Sequence, residues 1–181
     1  IQLQPGSPTS PTLTLTSRVI NSTHARVELS FVDPQGPNNG PRWLGLGKGS
    51  RMVGSVALLG TTSSAGLYRL VSQTGDFASD AVPLPLNAAA TLAMGVSSIA
   101  FSYVASTGTS TVAATLAVNP ASPDFALFPR ADMIFALGED EVLAEHLERV
   151  AVPGIRLSPD ATATARPTLV TTRSPTTTSR P

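Results

Sequence analysis

Apolar and polar positions alternate most regularly over residues 96–118, VSSIAFSYVASTGTSTVAATLAV. Ile99, Phe101 and Tyr103 recur at every second position. A polar break follows, Ser106-Thr107-Gly108-Thr109-Ser110, and then Val112, Leu116 and Val118 resume the pattern with Ala114 on the same face. Period-two alternation, β-branched and aromatic enrichment and a glycine-bearing break predict a β-hairpin with one buried and one wet face. Two strands alone are marginal in water, so the rest of the chain must supply more sheet.

It does so in short pieces. Residues 12–17 (TLTLTS) alternate cleanly and predict a first strand; Val19 and Ile20 follow. Residues 25–32 (ARVELSFV) place Val27, Leu29 and Phe31 inward, with Arg26, Glu28 and Ser30 outward, as on a sheet with one solvated face. Further strands are predicted over 52–59 (MVGSVALL), with a weak centre at Gly54, over 67–72 (LYRLVS) and over 131–137 (ADMIFAL). In 82–86 (VPLPL), Pro83 and Pro85 remove ladder donors, which fits an edge or crossing segment. Residues 88–94 leave a helical turn and a strand both open.

Turn formers fill 33–41 (DPQGPNNGP), and loops are expected there, over 45–50 (GLGKGS), over 60–66 and over 73–80. The proline-bounded segment 119–129 (NPASPDFALFP) is expected to tuck Phe125, Leu127 and Phe128 beneath the sheet. Residues 139–150, after Gly138, predict one helix. Glu139, Asp140 and Glu141 occupy its first turn and Arg149 its last, and Leu143, Leu147 and Val150 form a single apolar stripe, with Pro153-Gly154 as the stop. About eight to ten short strands and one late helix predict a mainly β chain: an antiparallel sandwich or barrel, jelly-roll-like, with one short C-terminal helix.

Composition divides the chain into three. Residues 1–11 (IQLQPGSPTSP) are a Pro/Ser/Thr-rich hinge linker, 12–157 the β domain, and 158–181 a Thr/Pro-rich tail that cannot build a core and reads as a linker or an O-glycosylated stalk. The chain opens on Ile1, which predicts a processed product or part of something longer. Twelve basic and twelve acidic residues cancel, and Lys48 is the sole lysine, so the electrostatic footprint of a nucleic-acid binder is missing. There is no cysteine for disulfides or thiolate metal sites, and no apolar run long enough to span a bilayer.

Candidate chemistry is thin. GLGKGS departs from a phosphate loop at Arg42, where the first glycine belongs, and at Gly49, where Ser or Thr should follow Lys48. The acidic residues around His146 lack a second ligand four positions earlier, where Val142 stands. His24 and His146 offer few bases for a triad, and no Gly-x-Ser-x-Gly elbow occurs. Asp124 and Asp132 are the carboxylates a glycoside-cleaving domain would use. Asn21-Ser22-Thr23 is a formal glycosylation sequon. Arg42 and Trp43, beside a Gly/Pro-rich loop, and Tyr68 and Arg69 are candidate surface contacts, since Trp, Tyr and Arg anchor interfaces; a lone Trp can equally plug the end of a barrel.

From residue 12 to 150 the order of segments resembles the projecting spike domains of small non-enveloped RNA virus capsids, of the hepatitis E, astro-like and noda-like kinds. The likeness rests on the hairpin closing in AVNP, the FALF run at 125–128, the strand after it and the acidic segment at 138–141. It implies a β-barrel or jelly-roll-like module hinged through residues 1–11 on a shell. It also implies a virion-surface location and attachment to a host receptor or surface glycan. Homo-oligomerisation is expected, as a dimer ahead of a trimer, with no enzyme activity, no cofactor, no nucleic acid and no membrane insertion. The loops at 33–50, 60–66 and 73–80 are the expected contact surface. The alternatives are an extracellular binding module of a bacterial or fungal cell surface and a carbohydrate-active enzyme domain.

Overall fold

A computed structural model describes residues 2–3, 12–34, 39–72, 81–138 and 146–157. The chain folds into two antiparallel sheets. One contains β1 (Gln2–Leu3), β2 (Thr12–Val19), β3 (His24–Val32), β8 (Val96–Val104) and β9 (Thr109–Ala117), in the order β1-β2-β3-β9-β8. The other contains β4 (Leu44–Lys48), β5 (Val56–Gly60), β6 (Ala65–Ser72), β7 (Ala81–Pro85), β10 (Arg130–Gly138) and β11 (His146–Arg156), in the order β11-β10-β4-β5-β6-β7. Among the described residues one α-helix occurs, α1 (Ala88–Ala93), capped by Asn87, whose side chain accepts from Ala90 N–H at 2.8 Å.

The register explains the layers. Across the first sheet, Leu15, Leu29, Val112 and Phe101 form one inward row, and Ser17, Val27, Ala114 and Ile99 the next. Across the second, Phe135, Leu46, Leu58 and Leu67 form the matching row. These rows meet in a single core that also takes in Phe125, Leu127 and Phe128. The two sheets touch at Gly60, where a Cβ would lie 2.7 Å from Val112 Cγ2 and 2.8 Å from Phe101 Cδ2. Of the antiparallel sandwich or barrel expected from the alternation, the two sheets match the sandwich, with the 96–118 hairpin as β8 and β9 and the Pro83/Pro85 segment as an edge among the described residues.

Other segments differ from expectation. Residues 146–150, assigned to a helix, lie in β11: Phe135 pairs with Val150, Ala136 with Arg149 and Leu137 with Glu148. β10 is buried from Met133 to Gly138, and its open ladder takes the next available strand, which outweighs a local helical pattern. Pro153 and Gly154, read as the helix stop, form a bulge opposite Asp132; Gly154 has φ 61°, and its N–H donates to Asp132 Oδ1 at 2.7 Å.

The second correction is β4. Leu44 and Leu46 face the core while Gly45 and Gly47 sit on the opposite face, so the Gly-rich run expected to be a flexible loop is a buried strand. Gln2 and Leu3, placed in the hinge, pair with Leu13 and Thr14; lying before Pro5, they keep the N–H groups a ladder needs. The rest of the hinge, the loop at 73–80, residues 139–145 of the expected helix and the tail at 158–181 lie outside the described residues.

Candidate recognition surface

Three connections gather at the end of the sandwich where Leu44 pairs with Gly60 and Gly60 with Ala65: the β3–β4 loop, the β8–β9 turn and the β5–β6 loop. Asp33 closes the neck of the first. Its carboxylate, only 5% of the residue being exposed, accepts from Arg42 Nη2 at 3.2 Å, Arg42 Nε at 3.4 Å and Asn39 Nδ2 at 3.3 Å. The main chain locks the same neck to the neighbouring turn: Asp33 N–H donates to Gly108 C=O at 3.1 Å, and Arg42 N–H donates to Ser110 Oγ at 3.0 Å. Gly108, at φ 63°, supplies the left-handed residue that ends the β8–β9 turn. The β5–β6 loop is closed by buried Thr61, whose N–H donates to Ser64 C=O at 2.7 Å and whose Oγ1 accepts from Ser64 N–H at 3.0 Å.

Trp43 follows the neck but is not presented to solvent. It is 4% exposed and lies on the outer face of the second sheet, packed with Ala57, Leu59, Leu70 and Ala136 in a second, smaller core. Gly45 is the floor beneath it: a Cβ there would lie 3.4 Å from Trp43 Cζ3 and 2.8 Å from Leu59 Cδ2. The indole Nε1 is buried without a hydrogen-bond partner among the described residues. Burying the ring outweighs leaving one donor unpaired, so of the two expectations for Trp43, surface anchor and plug, the buried one fits.

The remaining candidates disperse. Arg42 belongs to the neck. Tyr68 lies half-buried against the Trp43 cluster. Arg69 occupies an inward-facing row with Val56 and Lys48, yet reaches out to pair with Asp124 at 3.0 Å; Lys48 Nζ donates to the neighbouring Pro123 C=O. Both cations thus hold the turn Pro123–Phe125, whose Phe125 enters the core. The two carboxylates considered for glycoside cleavage are engaged in structure, Asp124 by Arg69 and Asp132 by the β11 bulge. Asn21 is exposed in the β2–β3 turn, where Oδ1 accepts from Thr23 N–H at 2.9 Å, Thr23 Oγ1 at 3.0 Å and His24 N–H at 2.9 Å.

Sequence reasoning singled out the loop at 33–50 but missed the holding role of Asp33 and Asn39 within it, and of Gly108 and Ser110 beside it. Asp33-Pro34 reads only as a turn, and its bond to residue 108 depends on β3 lying beside β9. Groups of three or more metal-binding side chains do not occur among the described residues. No family model, curated sequence or solved structure matches the chain.

Proposed function

We propose that the chain is a recognition module displayed on a surface, a capsid projection of the small non-enveloped virus type, which attaches to a host receptor or surface glycan and self-associates. The observation that carries the reading is the neck at Asp33. A binding loop is most useful when a rigid scaffold holds its ends, because less ordering entropy is then lost on contact. Here a buried carboxylate, a guanidinium and two main-chain N–H donors, one to Gly108 C=O in the β8–β9 turn and one to Ser110 Oγ in β9, fix both ends of the β3–β4 loop. The ordering of segments along the sequence supports the viral form of the reading.

Such a module works through valency. A contact too weak to hold alone becomes durable when several copies engage, since each later contact forms at high effective concentration. The test is binding of the biotinylated chain, free and tetramerised on streptavidin, to cultured animal cells and to a glycan array. Retention of the tetramer with washout of the free chain is expected. No binding by either form above a streptavidin control overturns the reading. Turnover of a glycan panel that Asp124→Asn or Asp132→Asn abolishes would establish the enzyme alternative instead.

A further inference from the structure

The neck of the β3–β4 loop contains a chemically unstable side chain. Asparagine is thermolabile because its carboxamide carbon lies within reach of the next residue's main-chain nitrogen, and glycine in that next position leaves the nitrogen unshielded. The chain has five asparagines, at 21, 38, 39, 87 and 119, and Asn39 alone precedes a glycine. Asn39 is exposed, Gly40 has φ 71°, and a Cβ built on Gly40 would meet nothing within 4 Å among the described residues. The peptide between them therefore has room to turn.

The other asparagines are differently placed. Asn21 Oδ1 accepts three hydrogen bonds in the β2–β3 turn, and Asn87 Oδ1 caps α1. Asn119 precedes Pro120, whose nitrogen has no proton to lose. Asn38 lies outside the described residues. What singles out Asn39 is the work its side chain does. Nδ2 donates to Asp33 Oδ2 at 3.3 Å, the oxygen that also accepts from the Arg42 guanidinium.

We propose that Asn39 is a self-modification site, and that its conversion to aspartate or isoaspartate unlatches the β3–β4 neck. The Gly40 nitrogen gives up its proton and attacks Asn39 Cγ. The new N–Cγ bond closes a succinimide, and the Cγ–Nδ2 bond breaks, releasing ammonia. Water then opens the ring: attack at Cγ leaves aspartate, and attack at the main-chain carbonyl carbon leaves isoaspartate. The sum is one water consumed, one ammonia released, and no oxidant or reductant used. Aspartate replaces the Nδ2 donor with a second carboxylate beside Asp33. Arg42 neutralises one carboxylate, and carboxylates that share a site repel by a pK unit or more. Isoaspartate loses the same donor and routes the main chain through an added methylene. The inference stands on the geometry of the neck, independent of what the loop binds.

Peptide mapping by mass spectrometry of the full chain, aged in warm, mildly alkaline buffer, tests the modification. Conversion at Asn39 ahead of Asn21 and Asn87, with both aspartate and isoaspartate formed, is expected. Conversion at Asn39 no faster than at those two overturns the site, and aspartate without isoaspartate overturns the ring route. Hydrogen exchange at Asp33 N–H and Arg42 N–H, in freshly prepared protein, tests the consequence. Asn39→Asp should speed both roughly tenfold, the equivalent of one pK unit of repulsion. Asn39→Ala, which removes the donor without adding charge, should speed them less. Exchange in Asn39→Asp no faster than in Asn39→Ala overturns the unlatching by charge. Neither arm uses a receptor, so failure here leaves the attachment reading to its own binding test.

Discussion

Gly138→Ala is the most incisive single perturbation, because it drives a methyl group into the only tryptophan of the chain. A Cβ built on Gly138 falls 2.5 Å from Trp43 Cε2 and closer still to Nε1 and Cδ1. Contact carbons sit ~3.5–4.0 Å apart, so the ring would have to retreat by an ångström or more. It has little room to do so, with Leu59, Ala57 and Ala136 packed around it and Gly138 N–H bonded to Trp43 C=O at 3.0 Å. Overpacking of this kind costs about 1–3 kcal/mol, and the depth of this overlap puts it at or above the upper end. At roughly 2–4 °C per kcal/mol for a domain of this size, Tm should fall by about 6–12 °C. Trp43 emission should shift to the red in the folded state as the ring loses its dry site. In a Trp43→Ala background the methyl meets no ring, and the same substitution should cost no more than about 1 kcal/mol. Equal costs in the two backgrounds, with unaltered emission, would refute the placement of Trp43 against Gly138.

Three further substitutions probe other joints. Asp33→Ala leaves the Arg42 guanidinium, 15% exposed at its side chain, facing an empty partner site; a loss of about 2–4 kcal/mol in urea unfolding is expected. Gly60→Ala presses a methyl on Val112 and Phe101 where the sheets meet, but Phe101 lies on an edge strand that can yield, so thermal unfolding should show a smaller cost of ~1–2 kcal/mol. Arg69→Ala breaks an ion pair whose side chains are 41% and 47% exposed, and chemical denaturation should register less than ~1 kcal/mol, diminishing further with salt.

The parts of the fold legible in the sequence are those where one face is apolar and the other polar. Leu29, Phe31, Val112 and Leu116 alternate with polar or small residues, and the hairpins they build occur where the period places them. β4 escaped notice because its second face is made of glycine. Gly45 and Gly47 look like turn formers until Trp43 is seen lying over Gly45, with Ala57 and Ile134 beside Gly47, and those tertiary partners have no local signature. β11 escaped for the opposite reason: HLERV carries a fair helical pattern, and only the buried open side of β10 makes pairing the better solution. The candidate site was the least legible part. The sequence gives no hint that the Arg42 guanidinium serves Asp33 inside the neck, and it leaves surface anchor and plug equally open for Trp43, which the fold buries.

Hydrogen exchange at two amides tests most directly whether the sandwich holds the β3–β4 loop ready for contact. Asp33 N–H, bonded to Gly108 C=O, and Arg42 N–H, bonded to Ser110 Oγ, lie outside any strand. A held neck requires both to exchange as slowly as amides of β3 and β9, through the same opening of the sheet. Exchange of both at the rate of an unprotected chain, with β3 and β9 still protected, would contradict the account.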